Sequence, residues 1–157
     1  MTRLRALKSS TRAGFTLIEL LVVVSVLAML ATAAALQLAR ARITANEQVA
    51  LTSLRLIAKS CQFFSMVKQA YPADLTELGP PTSDPPYLEE TLRTGTPPIK
   101  HGYTFVYARP APDTFTLNAN PVTHGSTGVR HFYTDQTFVI HATDDNLDAT
   151  TGDLVIP

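Results

Sequence analysis

From Phe15 to Ala39 the chain runs 25 residues with Glu19 as its only charge, and the 17 positions from Leu20 to Leu36 carry none. About 20 apolar residues at 1.5 Å each cross the roughly 30 Å hydrocarbon layer of a bilayer, so the pattern predicts a membrane-spanning helix over 15–38. Beyond Ala39 the apolar positions thin out without losing helical spacing. Ile43, Ala50, Leu54, Ile57, Ala58 and Cys61 recur at intervals of three, four or seven, with Arg, Glu, Gln and Lys beside them. That stripe predicts an amphipathic continuation over 39–71 that needs a cover. The first proline is Pro72, so one helix is expected from near Phe15 to about Ala70.

The pattern then changes twice. Seven of the 11 prolines fall between Pro72 and Pro98, together with Gly79 and Gly95, which marks 72–102 as a connecting loop. Within it, Pro72-Ala73-Asp74-Leu75-Thr76-Glu77-Leu78-Gly79 predicts one short helical turn with Leu75 and Leu78 facing inward. Over 103–157 the period becomes two. Strands are expected at Tyr103–Ala108, Thr114–Ala119, Val129–Thr134 and Thr137–Ala142, with a short terminal strand at Leu154–Ile156. Phe105, Phe115, Leu117, Phe132, Phe138 and Ile140 would form the sheet face against the helical stripe, each large side chain contributing roughly 1.5–3 kcal/mol on burial. The expected class is α+β: a long N-terminal helix packed on a small antiparallel sheet.

Charge adds a direction. The formal net charge is zero, but Arg3, Arg5, Lys8 and Arg12 all precede Gly14 with no acidic residue among them. Removing those four from 13 basic residues leaves nine against 13 acidic, so the remainder is formally −4. An acidic remainder argues against nucleic acid as the main partner, which normally needs a basic face. Four cations before the apolar run against Arg40 and Arg42 after it predict a cytoplasmic N-terminus and an exported C-terminal part. Glu19 is then an anomaly. A carboxylate at the centre of a spanning helix costs roughly 2.5–3.5 kcal/mol, less near an end, so such a residue points to function and should be neutralised by a partner.

The order of these features separates the segment from an ordinary secretory signal, in which a small-residue cleavage site follows the apolar run and the run is discarded. Here Gly14 lies before it. Gly14-Phe15-Thr16-Leu17-Ile18-Glu19-Leu20-Leu21-Val22-Val23 resembles the class III signal of type IV prepilins and related pseudopilins. The resemblance implies a leader over 1–14, cleaved after Gly14 by a membrane-embedded prepilin peptidase that then N-methylates Phe15. Glu19 would become the fifth mature residue, about 6 Å along the helix from its own terminus. There its carboxylate would pair with the Phe15 amine of a neighbouring subunit, each charge offsetting the desolvation of the other. The resemblance also covers the head: Ala45-Asn46-Glu47, Gly102-Tyr103, Asn118-Ala119-Asn120-Pro121 and Arg130-His131-Phe132-Tyr133-Thr134-Asp135 look like short type IV pilins with a four-stranded meander and no disulfide-closed loop. Two positions depart from the pattern: Leu36 stands where many relatives have proline, and Thr137-Phe138 where many have Ser-Gly.

Other candidate chemistry is thin. Cys61, the single cysteine, reads as a buried thiol. His101, His124, His131 and His141 show no metal-ligand spacing and read as surface or strand residues. Asp144, Asn146, Asp148 and Thr150 alternate oxygen ligands as a calcium loop does, but Ala149 replaces the turn glycine and Val155 the bidentate Glu, so a solvated acidic turn stands beside the calcium reading. No enzymatic constellation emerges. The resemblance implies a structural subunit, processed by prepilin peptidase, that polymerises with itself and other pilins on an assembly platform. It would sit in the inner membrane as a single-pass protein with a periplasmic head, then at the cell surface in a pilus serving adhesion, motility or DNA uptake. A type II secretion pseudopilin and a membrane-anchored ligand-binding module are the alternatives.

Overall fold

A computed structural model describes residues 14–156. The chain divides into two compact units between Leu38 and Ala39. The helix α1, Leu17–Lys68, contributes to both. In the first unit it is helical without a break through position 36, the site of the missing proline. Its C-terminal end falls two residues short of the expected Ala70 because Gln69 turns left-handed at φ 62°, its N–H returning to the Ser65 carbonyl at 2.9 Å.

The second unit sets the rest of α1 beside a six-stranded antiparallel sheet in simple meander order: β1 Ile99–Lys100, β2 Tyr103–Ala111, β3 Thr114–Pro121, β4 His131–Asp135, β5 Ile140–Thr143 and β6 Leu154–Ile156. The alternation read from the sequence is what the sheet buries. On β3, Phe115, Leu117, Ala119 and Pro121 face inward while Thr114, Thr116, Asn118 and Asn120 are half-exposed. Ala50, Leu54, Ile57, Ala58, Cys61 and Phe64 of α1 join Tyr103, Phe105, Phe115, Leu117, Phe132 and Ile140 in one core cluster.

Several expectations shift. The four-stranded meander is a six-stranded one: the terminal strand expected at Leu154–Ile156 pairs with β5 as β6, and the proline-rich segment supplies β1 at the other edge, together with a short helix α2, Glu90–Arg93. The turn after Asp74 is a 3-10 helix, Leu75–Leu78. Asp74 caps it by accepting the Thr76 N–H, and Leu75 and Leu78 are buried as expected. The fourth predicted strand begins at Ile140, not Thr137. Asp135 accepts the backbone and hydroxyl hydrogens of Thr137 at 2.8 and 2.6 Å, which extends the turn and leaves Phe138 left-handed at φ 60°. Phe138 is accordingly 36% exposed, with its ring tilted against that of Phe115 at 6.0 Å. Ile43 is half-buried rather than core. Glu47, on the same spacing, is buried.

Candidate functional site: the N-terminal segment and its head

Gly14, Phe15 and Thr16 are non-helical, and α1 begins at Leu17. Thr16 starts it: its Oγ1 accepts the Glu19 N–H at 3.3 Å and its carbonyl the Leu20 N–H at 3.2 Å. Thr16 and Glu19 therefore stand at N-cap and N3, the spacing of a capping box, with the carboxylate in the first turn where the helix dipole favours negative charge. The expensive side chain thus sits where a helix tolerates it best. Upstream, Gly14 is exposed and nothing lies within 4 Å of where a β-carbon would stand. The Gly14–Phe15 peptide is therefore open backbone outside the helix, the form a protease can bind. The leader residues before Gly14 fall outside the described residues.

The helix that follows has an 18-residue window of mean hydropathy 2.5, none of it buried within the chain. Phe15, Leu17, Ile18 and Met29 are 70–88% exposed. Such a surface demands an apolar medium. Its hydroxyls are compatible with one: Ser25 donates to the Leu21 carbonyl at 2.7 Å and Thr32 to that of Met29 at 2.8 Å, so neither enters lipid with an unmade bond.

Residues 9–35 match the family model of the prokaryotic N-terminal methylation motif. The chain carries the class III signal of type IV pilins. A long N-terminal helix followed by an antiparallel sheet fits the pilin layout, and the motif supports membership among type IV pilins or pseudopilins, a structural family processed by prepilin peptidase. The apolar helix fits membrane anchoring. Comparison with curated proteins and with solved structures returned no match.

In the head, two runs noted in the sequence come together. Glu47 on α1 is 7% exposed and holds the segment before β4: its Oε1 accepts the N–H groups of Val129 at 2.9 Å and Arg130 at 3.2 Å, while Oε2 accepts Arg130 Nε at 2.9 Å. Asn46 donates to the Thr127 carbonyl at 2.9 Å. Arg130 in turn lies over the Phe132 ring at 5.5 Å, and its carbonyl accepts the Tyr103 hydroxyl at 2.8 Å. This knot ties helix to sheet. Its one signal in the sequence was a charged residue at the spacing of the apolar stripe.

The histidines disperse. His101 is exposed, and His141 Nδ1 lies 3.0 Å from the Asp153 carbonyl. His124 and His131 stack at 5.7 Å, and His131 Nδ1 lies 3.1 Å from Asn120 Oδ1. Since Asn120 Nδ2 donates to Asp148 Oδ1 at 2.7 Å, its oxygen faces His131 and places the imidazole proton on Nδ1. Burial and the neighbouring His124 hold the His131 pKa below the usual histidine value, partly opposed by Asp148. Burial also pushes the Cys61 thiol up to about 12, in keeping with an inert residue.

Of the calcium candidates, Asp144, Asn146 and Asp148 are exposed, and Asp148 is engaged by Asn120. Asn118 donates to the Ala149 carbonyl at 2.9 Å, so β3 anchors the end of this loop. Among the described residues no three His, Cys, Asp or Glu side chains gather to hold a metal ion.

Proposed function

We propose that the chain is a structural pilin subunit that polymerises through its N-terminal helix into a type IV pilus. The four leader cations hold its N-terminus in the cytoplasm and its head in the periplasm while the apolar helix anchors it in the inner membrane. Prepilin peptidase cuts after Gly14 and methylates Phe15, and the assembly platform then withdraws the helix into the growing filament. Apolar surface leaves lipid for the equally apolar flanks of other copies. Shape and polar pairing therefore decide the packing, since lipid and helix are alike in hydrophobicity. Glu19 supplies that pairing: its carboxylate meets the Phe15 ammonium of a neighbour, and the match fixes the axial stagger between copies.

The observation that carries this reading is an exposed, non-helical Gly14–Phe15 bond directly ahead of a helix whose apolar part, residues 17–39, has one acidic residue, Glu19 in its first turn. Deleting the protein and imaging the cell surface tests it. Loss of filaments with secretion intact supports the pilus; intact filaments with lost secretion overturn it in favour of a secretion pseudopilus.

A further inference from the structure

A groove of about 350 Å³ opens on the head where α1 meets the turn from β4 to β5, lined by Arg55, Ala58, Lys59, Gln62, Phe138 and Ile140. Ala58, Phe138 and Ile140 make part of its lining apolar, Gln62 and Thr134 are polar, and Arg55 and Lys59 supply cations from α1. Lys59 extends over the Phe63 ring at 5.7 Å and takes part in no ion pair among the described residues. Phe138 stands at its edge in a left-handed conformation that a bulky side chain seldom adopts, and this conformation leaves the ring partly in solvent instead of in the core.

The chain carries a surface of the opposite kind. Between β5 and β6, Asp144-Asp145-Asn146-Leu147 presents an aliphatic side chain 71% exposed, preceded by two exposed aspartates that form no ion pair among the described residues. The base of this loop is held: Asn120 grips Asp148, Asn118 grips Ala149, and Asp153 accepts the Thr150 N–H at 2.7 Å and hydroxyl at 2.9 Å. A firmly based loop that offers an apolar tip beside two negative charges complements a partly apolar groove with cations from α1.

We propose that the Asp144–Leu147 loop of one copy docks into the Arg55–Lys59–Phe138 groove of the next, with Leu147 against Phe138 and Ile140 and the aspartates facing Lys59 and Arg55. Groove and loop are different patches of the same molecule, so the contact is heterologous. Repeated without closure it generates an open helical array rather than a dimer. The contact rests on the assembly reading above and specifies a surface through which heads, and not helices alone, recognise one another. Opposite charge across it acts mainly on the choice and orientation of partner.

Cross-linking between copies tests it. Full-length chains carrying Gln62→Cys alone are coexpressed with chains carrying Leu147→Cys alone, and the filaments are sheared off and mildly oxidised. The expected result is a mixed disulfide dimer absent from filaments of either variant by itself. Lys59→Glu is expected to lose filaments, and Asp145→Lys in the same chain to restore them. Filaments that form without the mixed dimer overturn the head contact and leave assembly standing; so does a Lys59→Glu loss that Asp145→Lys fails to restore, or no loss at all. A Gln62→Cys cross-link to a different protein overturns the contact by giving the groove another occupant. Failure of the unaltered chain to form filaments overturns the assembly reading, and this contact with it.

Discussion

Replacing Glu47 with alanine removes the acceptor for three hydrogen bonds at once. The Val129 and Arg130 N–H groups and the Arg130 guanidinium would lose their partner in a site where the Glu47 side chain is 9% exposed. Breaking a buried ion pair from one side costs about 3–5 kcal/mol, because the remaining charge and donors stay desolvated. Arg130 is 33% exposed, so water recovers part of its share, and the lower figure applies. We expect a loss of about 3 kcal/mol, more than 100-fold in the folding equilibrium. Glu47→Gln provides the control: it leaves no buried charge, its amide oxygen still accepts from the backbone donors, and the half-exposed Arg130 turns to water, so the loss should be about 1 kcal/mol. Chemical denaturation of the full chain in detergent micelles, followed by tyrosine near-ultraviolet circular dichroism, measures both. Equal losses for the two variants, or a Glu47→Ala loss under about 1 kcal/mol, would refute the assignment of Glu47 as the acceptor that ties helix to sheet.

Three further outcomes are expected. Gly128→Ala would place a β-carbon 2.0 Å from the hydroxyl of the fully buried Tyr103, itself bonded to the Arg130 carbonyl, and should lower the midpoint of thermal unfolding by overpacking worth about 1–3 kcal/mol; an unchanged midpoint contradicts that packing. Because the folded His131 binds its proton more weakly than the unfolded residue, its contribution to stability is complete above the unfolded pKa near 6.5 and is lost as pH falls below it toward the lower folded value. The midpoint should therefore drop between pH 7 and 5, with a smaller drop in His131→Phe; identical profiles refute the role. Glu19→Ala should insert into the membrane normally yet assemble poorly, and wild-type filament yield with normal N-methylation would remove the charge-pairing argument.

What could be read in advance was what is local. The class III signal is written in one short run of the chain and needed no tertiary information. Alternation placed β2 and β3 for the same reason, and the inward spacing of Leu75 and Leu78 marked the short helical turn. The Glu47–Arg130 knot joins residues 83 positions apart, and a polar residue on an apolar stripe reads as a flank until its partner is seen. Phe138 misled because an aromatic in a period-two run looks like core. The Asp135 side chain, by capping Thr137, delays β5 and turns the ring outward. β1 was hidden by its length: two residues among prolines carry no period, and only pairing with Thr104 and Tyr103 makes them a strand.

The processing of the N-terminus is the claim on which the rest depends, and mass spectrometry of the intact chain isolated from membranes and sheared filaments measures it directly. The account predicts a mature protein beginning at Phe15 with one methyl group on its α-amine. A chain that retains Met1–Gly14 while prepilin peptidase is active would contradict it.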